Sequence, residues 1–169
     1  MRHNTHMNVL ARYRLRMARP GADEETIARL KISCWREAYP GILPRSILDG
    51  LDVGRSTTGW WHALGEGIAW IAEQAGAPVG FGHMRDAEVT TLYVRRADHG
   101  YGVGRELLTH LFDEIGCLGH RTAHLWVLEE NPKARRFYEH MGGRLVARRS
   151  VGFSSHPHIS EVRYDFALD

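Results

Sequence analysis

This sequence has little cysteine, no strong charge imbalance and no long hydrophobic run. Only two of its 169 residues are cysteine, Cys34 and Cys117, and their separation fits neither a metal site nor a redox pair. The formal net charge of +2 is too small to favour nucleic acid as a partner. No apolar segment approaches the length of about 20 residues that a membrane-spanning helix needs, and no secretory signal pattern is visible. These absences predict a cytoplasmic protein with no metal site, no nucleic-acid partner and no membrane contact.

The composition is that of an ordinary globular chain, with 43% hydrophobic and 25% charged residues. Its length predicts one domain at residues 9–169, preceded by a polar, histidine-bearing segment at 1–8 that we expect to be a disordered leader. Apolar periodicity predicts seven strands, with helices between them. Strands and helices mixed in this way, with a meander in the middle, indicate an α/β (α+β mixed sheet) fold. The strands are predicted at 13–18, 68–74, 79–85, 89–94, 123–128, 144–152 and 161–167, and the helices at 23–37, 45–51, 53–64, 105–116 and 132–141.

The stretch 88–109 carries the clearest functional pattern, because it joins a strand to a helix through a glycine-rich turn. Its apolar, β-branched part at 89–94 predicts a buried strand, and glycines follow at 100, 102 and 104. A turn of this kind presents backbone N–H groups at a helix N-terminus, where the helix dipole also favours negative charge. Glycine suits the turn because phosphate oxygens approach the backbone closely there and some positions take φ > 0. The stretch therefore predicts a phosphate site.

The glycine spacing distinguishes between phosphate ligands. It is Gly-x-Gly-x-Gly, which matches neither the dinucleotide fingerprint nor a Walker loop, since no Gly-Lys-Ser/Thr follows. The letters HGYGVGRELL at 99–108 resemble the acyl-CoA signature of the GNAT N-acetyltransferase superfamily. Gly102 and Gly104 match the two glycine positions of that signature, and His99 stands where the family prefers Arg or Gln.

A second stretch, LWVLEENPKARRFYEHMG at 125–142, resembles the other half of the same family signature, a strand followed by Asn-x-x-Ala-x-x-Phe-Tyr-Glu-x-x-Gly. The family usually continues with Phe after the last glycine, where this chain has Gly143. Two motifs in the right order, one helix and one strand apart, are far more specific than either alone. The residues that match at family spacing are Asn131, Ala134, Phe137, Tyr138, Glu139 and Gly142.

The resemblance covers nearly the whole chain from about Tyr13. It implies a single-domain GNAT fold, with a central, mostly antiparallel sheet flanked by helices. It also implies an enzyme that uses acetyl-CoA as acyl donor, with backbone amides at 99–105 on the diphosphate and the pantetheine arm alongside 92–94. The cofactor-binding residues expected on this basis are Leu92, Tyr93, Val94, His99, Gly100, Tyr101, Gly102, Val103, Gly104, Arg105, Asn131 and Arg135.

In this family a substrate amine attacks the thioester directly, so protons must move at two places. Tyr138 occupies the family's position for the acid that protonates the leaving thiolate, whose pKa is about 8.5. Glu88 is the candidate base, acting through water. Holding a lysine-type amine neutral at pH 7 costs about 4.6 kcal/mol, but an α-amine with a pKa near 8 costs only about 1.4 kcal/mol. How much a base is needed thus depends on the acceptor.

The acceptor is expected to be a primary amine of a small molecule or a peptide, bound by the first two helices and the loop between them. Trp35 and Tyr39 are the candidate aromatic contacts for a cationic amine, and His83 is a further candidate. Homodimers are common in the family, so the resemblance also allows a homodimer. The alternative function is a catalytically weak module that binds acyl-CoA as a sensor or scaffold. A dinucleotide oxidoreductase is disfavoured by the glycine spacing.

Overall fold

The computed structural model describes residues 12–152 and 156–168, so the leader expected at 1–8 lies outside the described residues. Within these residues, seven strands form one sheet, and five α-helices pack around it. The strands are β1 (Arg14–Met17), β2 (Ile68–Gln74), β3 (Ala77–Arg85), β4 (Glu88–Val94), β5 (Thr122–Leu128), β6 (Arg144–Ser150) and β7 (Ser160–Ala167). The helices are α1 (Glu24–Ala38), α2 (Arg45–Asp49), α3 (Val53–Glu66), α4 (Val103–Cys117) and α5 (Pro132–His140), with a 3-10 turn at Arg96–Asp98.

The element order predicted from the sequence is confirmed, and so is the mixed sheet. The strand order is β1-β2-β3-β4-β5-β7-β6, and every neighbouring pair is antiparallel except β4 and β5. Helix α4 begins at Val103, two residues earlier than the pattern predicted. The reason is that Gly102 takes the left-handed conformation, with φ of 85°, and the helix starts directly after it.

The parallel pair β4 and β5 is joined only at its beginning. Glu88 pairs with His124, whose N–H donates to the Ala87 carbonyl over 3.0 Å, and no later residue of β4 has a partner in β5. Strand β5 instead pairs along its whole length with β7 on its other side. The two strands therefore separate toward their carboxyl ends and leave a notch in the sheet. The β5-facing edge of β4 is without a strand partner beyond Glu88 in the described chain.

Helices cover both faces of the β1–β4 half of the sheet. Helices α1 and α3 pack on one face through a cluster that includes Ile27, Trp60 and Phe81. Helix α4 packs on the other face, where Leu107, Leu111 and its other buried residues meet the inner side chains of β2–β5. Side chains alternate along a strand, so β4 points Tyr93 toward α1 and points Leu92 and Val94 toward α4.

Gly143 explains one departure from the family pattern. A Cβ built on it would lie 2.8 Å from the Phe166 ring and 2.8 Å from the Tyr138 carbonyl oxygen. No side chain fits at those distances without displacing its neighbours. The ring of Phe166, which enters the core from β7, fills the space beside Gly143.

Replacing Gly143 with alanine should lower the free energy of unfolding by about 1–3 kcal/mol, the usual cost of overpacking a core. Urea denaturation followed by circular dichroism measures this. The matched control is Gly59→Ala in α3, where an added Cβ meets nothing within 4 Å and the expected change is a small stabilisation. Equal stability of the two variants would contradict the packing argument.

Candidate active site

The turn between β4 and α4 has the backbone that an anion site needs. Gly100 and Gly102 have φ of 82° and 85°, and Gly102 is the residue on which α4 begins. The helix ladder starts with Glu106 N–H donating to the Gly102 carbonyl over 3.0 Å. The amides of residues 103–105 precede that ladder, and amides in the first turn of a helix lack intrahelical acceptors. The turn therefore offers consecutive N–H groups and the positive end of the helix dipole to a diphosphate.

Asp98 anchors this turn to the rest of the domain. It is 2% exposed, and its carboxylate accepts hydrogen bonds from Tyr13 Oη at 3.1 Å and from Arg95 Nε at 3.0 Å. On the other side, Arg96 N–H donates to Glu37 Oε2 at 2.8 Å, which ties the turn to α1. The turn is thus held in shape by β1 and α1 together. No sequence signal pairs Tyr13 with Asp98 across 85 positions, so neither residue was predicted to shape the turn.

His99 turns its ring toward protein groups. Its Nε2 lies 2.7 Å from the Val94 carbonyl oxygen, and its Nδ1 lies 2.8 Å from Lys133 Nζ. A carbonyl needs a donor and an ammonium needs an acceptor, so the contacts require a neutral imidazole protonated on Nε2. His99 therefore links the end of β4 to the first turn of α5. It also holds Lys133 beside the glycine-rich turn.

Three other residues expected to bind the cofactor, Tyr101, Asn131 and Arg135, differ in exposure and in hydrogen-bonding partners. Tyr101 is 46% exposed, and the Arg12 guanidinium lies 3.9 Å from its ring centroid. Asn131 caps α5, because its Oδ1 accepts from Ala134 N–H at 3.2 Å. Arg135 is engaged within the fold: its Nε donates to Tyr164 Oη, and its Nη1 donates to the Glu129 carbonyl, each over 3.2 Å. The structure thus uses Arg135 to tie α5 to the sheet.

Tyr138 is a buried phenol without a hydrogen-bonding partner in the described part of the chain. It is 8% exposed and packs against Phe137 and Tyr164, with ring centroids 5.3 and 6.3 Å away. Burial raises the pKa of Tyr138 well above its usual value, so the hydroxyl stays protonated at neutral pH. Among the described residues, the Trp35 indole nitrogen is the only side-chain nitrogen or oxygen that is both fully buried and without a hydrogen-bonding partner. The Tyr138 hydroxyl also has no partner, so it is not fully buried and keeps some contact with solvent. The hydroxyl therefore has a hydrogen bond to offer that no described residue accepts.

Three more aromatic residues converge near Tyr138. The hydroxyls of Tyr39 and Tyr93 are 3.2 Å apart, and the Trp35 ring stands edge-on to both, with centroids 5.1 and 6.5 Å away. Burial is the main cause of the raised pKa of Tyr138 and of Tyr93. Tyr39 also raises the pKa of Tyr138, and Tyr138 also raises the pKa of Tyr93, so these phenols lie within electrostatic reach of one another. The structure thus brings together the expected acid and two of the expected acceptor residues.

Glu88 and His83 lie elsewhere. Glu88 is at the closed end of the notch, about 20 Å along β4 from Val94 at roughly 3.3 Å per residue. His83 is 3% exposed, and both ring nitrogens are bonded, Nδ1 to Thr90 Oγ1 at 2.6 Å and Nε2 to the Ala63 carbonyl at 3.0 Å. Burial lowers the pKa of His83, which keeps the ring neutral as a link between α3 and β3. The structure does not bring either residue to the aromatic group.

Comparison with known proteins decides the family. The Acetyltransferase (GNAT) domain model matches residues 65–142. The chain is 30% identical over 168 residues to the Probable N-acetyltransferase Rv2775 of Mycobacterium tuberculosis, covering 89% of this chain and 93% of that protein. The chain belongs to the GNAT N-acetyltransferase family. The resemblance read from the two motifs is thereby confirmed, and the protein is an acetyltransferase enzyme.

Solved structures agree with the GNAT fold. A GCN5-related N-acetyltransferase from Rhodopseudomonas palustris superimposes with a TM-score of 0.78 at 20% identity, over 92% of this chain and 95% of that one. The PaiA N-acetyltransferase of Thermoplasma acidophilum, solved with coenzyme A, gives a TM-score of 0.78 at 16% identity, over 92% of this chain and 98% of that one.

Within the described residues of this GNAT enzyme, no helix is long and apolar enough to cross a membrane. That same portion holds no group of three or more His, Cys, Asp or Glu suited to a metal ion.

Proposed function

We propose that this GNAT enzyme transfers the acetyl group of acetyl-CoA to a primary amine of a small molecule or peptide by direct attack on the thioester. One observation carries the proposal. The notch between β4 and β5 has an unpaired strand edge, an amide-rich turn at one end and a free, protonated phenol beside it. The strand edge would hold the pantetheine arm of acetyl-CoA, the turn would hold its diphosphate, and the phenol would protonate the leaving sulfur.

The residues present fit coenzyme A at the turn. Gly100 and Gly102 already have the positive φ that a phosphate cradle requires, and the first-turn amides of α4 lack internal acceptors. Lys133, held beside the turn by His99, adds a positive charge that neutralises a diphosphate. The unpaired edge of β4 at 92–94 offers backbone groups to the pantetheine amides, in the manner of an added strand.

The proposed reaction forms one bond, breaks one bond and moves two protons. The amine nitrogen bonds to the acetyl carbon, the carbon–sulfur bond breaks, and the amine loses a proton to water. The departing thiolate takes a proton from the Tyr138 hydroxyl, which solvent then restores. Because burial keeps Tyr138 protonated, the donor is in its active form at neutral pH. Glu88 lies about 20 Å along β4 from Val94 at roughly 3.3 Å per residue, so we propose that it acts on the amine only through a chain of several waters.

A release assay tests the proposal. Purified protein is mixed with acetyl-CoA and a panel of primary amines, free thiol is followed with a thiol reagent, and the product is identified by mass spectrometry. Thiol release that requires both the amine and the protein is the expected result. Binding of acetyl-CoA without turnover on any amine would instead favour the sensor or scaffold function, and failure to bind coenzyme A would overturn the cofactor assignment.

A further inference from the structure

Glu161 is a partly buried carboxylate near the open end of the notch, where β4 and β5 end. It is the second residue of β7, and it pairs with Leu128, the last residue of β5. Its side chain is 17% exposed, and its Oε1 accepts a hydrogen bond from Arg149 Nε over 2.6 Å. Its Oε2 accepts no hydrogen bond within residues 12–152 and 156–168. A carboxylate has room for about four hydrogen bonds, so this oxygen can accept one from a ligand.

The Arg149–Glu161 pair lies beside the notch and not at the outer edge of the sheet. Arg149 belongs to β6, yet its guanidinium lies 3.8 Å from the centroid of the Trp126 ring on β5. Because β7 separates β6 from β5, the arginine must reach back across β7 to make this contact. Trp126 and Glu161 are diagonal neighbours on one face, since Trp126 pairs with Arg163 and Leu128 pairs with Glu161. The ion pair thus covers the strand that borders the notch.

Glu161 is on the same side of the sheet as the aromatic residues at the end of α1. Val162 packs in the cluster under α4, so Glu161 points to the opposite face, which is the face that Tyr93 takes on β4. Tyr39 lies in a buried cluster against which both Tyr93 and Leu128 pack. Burial is the main cause of the raised pKa of Tyr39, and the charge of Glu161 adds to it. The carboxylate is therefore within electrostatic reach of the Tyr39 hydroxyl.

The notch lets groups on the two faces of the sheet reach one ligand. Tyr138 packs in the cluster under α4, whereas Glu161 is on the α1 face. Tyr39 is within electrostatic reach of both side chains. An amine beside Glu161 would approach a thioester in the notch from the α1 face, and Tyr138 would reach its sulfur from the α4 face. The nucleophile and the acid therefore do not compete for the same space.

Resting on the proposed function, we propose that Glu161 binds the attacking amine and takes up its proton. Its Oε2 accepts a hydrogen bond from the amine nitrogen, and Arg149 holds the carboxylate in place through Oε1. As the nitrogen–carbon bond forms and the carbon–sulfur bond breaks, that N–H bond breaks and its proton moves to Oε2. The carboxylic acid then loses the proton to water, because the side chain is partly exposed. Glu161 is thus a catalytic residue on the acceptor side, whereas Glu88 can act there only through water.

Replacing Glu161 with glutamine tests this, because the amide keeps the size of the side chain and cannot take up the proton. With the best amine of the panel, Glu161→Gln should lower kcat/KM by about 10- to 100-fold at pH 7, the worth of one hydrogen bond to a charged group. The KM for acetyl-CoA should change by less than about threefold. The ratio of wild-type to variant kcat/KM should shrink between about pH 7 and about pH 9.5, because hydroxide then takes the proton.

The groups that face Glu161 do not produce such a trend by themselves. Arg149 from β6 and Arg163 on β7 stay protonated over this range, as arginine does in proteins. Burial raises the pKa of Tyr39 and of Tyr93, so both phenols stay neutral. The titration of the amine is the same for both proteins and cancels in the ratio.

Glu129→Gln is the matched control, because it removes the same kind of ion pair at the same end of the sheet. Glu129 Oε2 accepts from Arg148 Nε over 2.7 Å, and Arg148 pairs with Val162, so this ion pair is on the other face. The control should keep kcat/KM within about threefold of the wild type at each pH. An unchanged kcat/KM in Glu161→Gln, or a loss that stays constant with pH, would overturn the proposal.

If the wild type acetylates no amine, the proposed function fails separately, and binding still tests Glu161. Calorimetry then measures the affinity of n-butylamine and glycinamide for coenzyme A-loaded wild-type and Glu161→Gln protein. Binding of either amine that is weaker by about fivefold or more in the variant supports Glu161 as the amine ligand. Equal affinity for the two proteins, or no binding to either, would overturn it.

Discussion

The Tyr138→Phe variant should lose about 10²- to 10⁴-fold in kcat, the range that a positioned general acid contributes. Only the hydroxyl is removed, and the ring that packs against Phe137 and Tyr164 remains. The hydroxyl has no hydrogen bond to lose within the described residues, so the variant should be as stable as the wild type. The KM for acetyl-CoA should change by less than about threefold, because the phosphate turn is untouched. Steady-state thiol release with the best amine of the panel measures both constants.

Tyr164→Phe is the matched control for this result. Tyr164 is also a buried tyrosine next to α5, but its hydroxyl is used structurally, donating to Glu139 Oε1 at 2.6 Å and accepting from Arg135 Nε at 3.2 Å. Its removal should lower the free energy of unfolding by about 1–2 kcal/mol and leave kcat nearly unchanged. If Tyr138→Phe kept the wild-type kcat, Tyr138 would have no part in the reaction.

The Gly102→Val variant should raise the KM for acetyl-CoA by about 10- to 100-fold. A branched side chain is strained at φ of 85°, by about 1–3 kcal/mol, so the turn must change conformation or α4 must start elsewhere. Either change moves the first-turn amides that are proposed to bind the diphosphate. Initial rates at varied acetyl-CoA, together with a direct titration of coenzyme A, separate weaker binding from slower chemistry.

Gly116→Val, near the other end of the same helix, controls for the added side chain. Gly116 is exposed, an added Cβ meets nothing within 4 Å, and its φ is outside the left-handed region. This variant should bind coenzyme A as the wild type does. Unchanged coenzyme A affinity in Gly102→Val would exclude the turn as the diphosphate site, even if activity were lost.

The sequence predicted more of the fold than of the site. Periodicity located all seven strands and five helices, because an amphipathic element must bury one face whatever surrounds it. The turn at glycines 100 and 102 could be predicted from the sequence because only glycine takes positive φ at little cost. Arg135 shows the opposite case. A basic residue on a helix has the same sequence signature whether it meets a phosphate or, as here, ties α5 to Tyr164 and the Glu129 carbonyl.

By itself, the sequence determined the family, the position of the glycine-rich turn and the identity of the candidate acid, since each rests on residue types at short, fixed spacings. Tertiary structure alone decided which polar groups are already satisfied. It bonded both nitrogens of His83, turned His99 toward Lys133 and anchored the turn through Tyr13 and Asp98. The reason is physical: a hydrogen bond or ion pair depends on distances of about 3 Å between groups far apart in the chain. No local pattern encodes those distances.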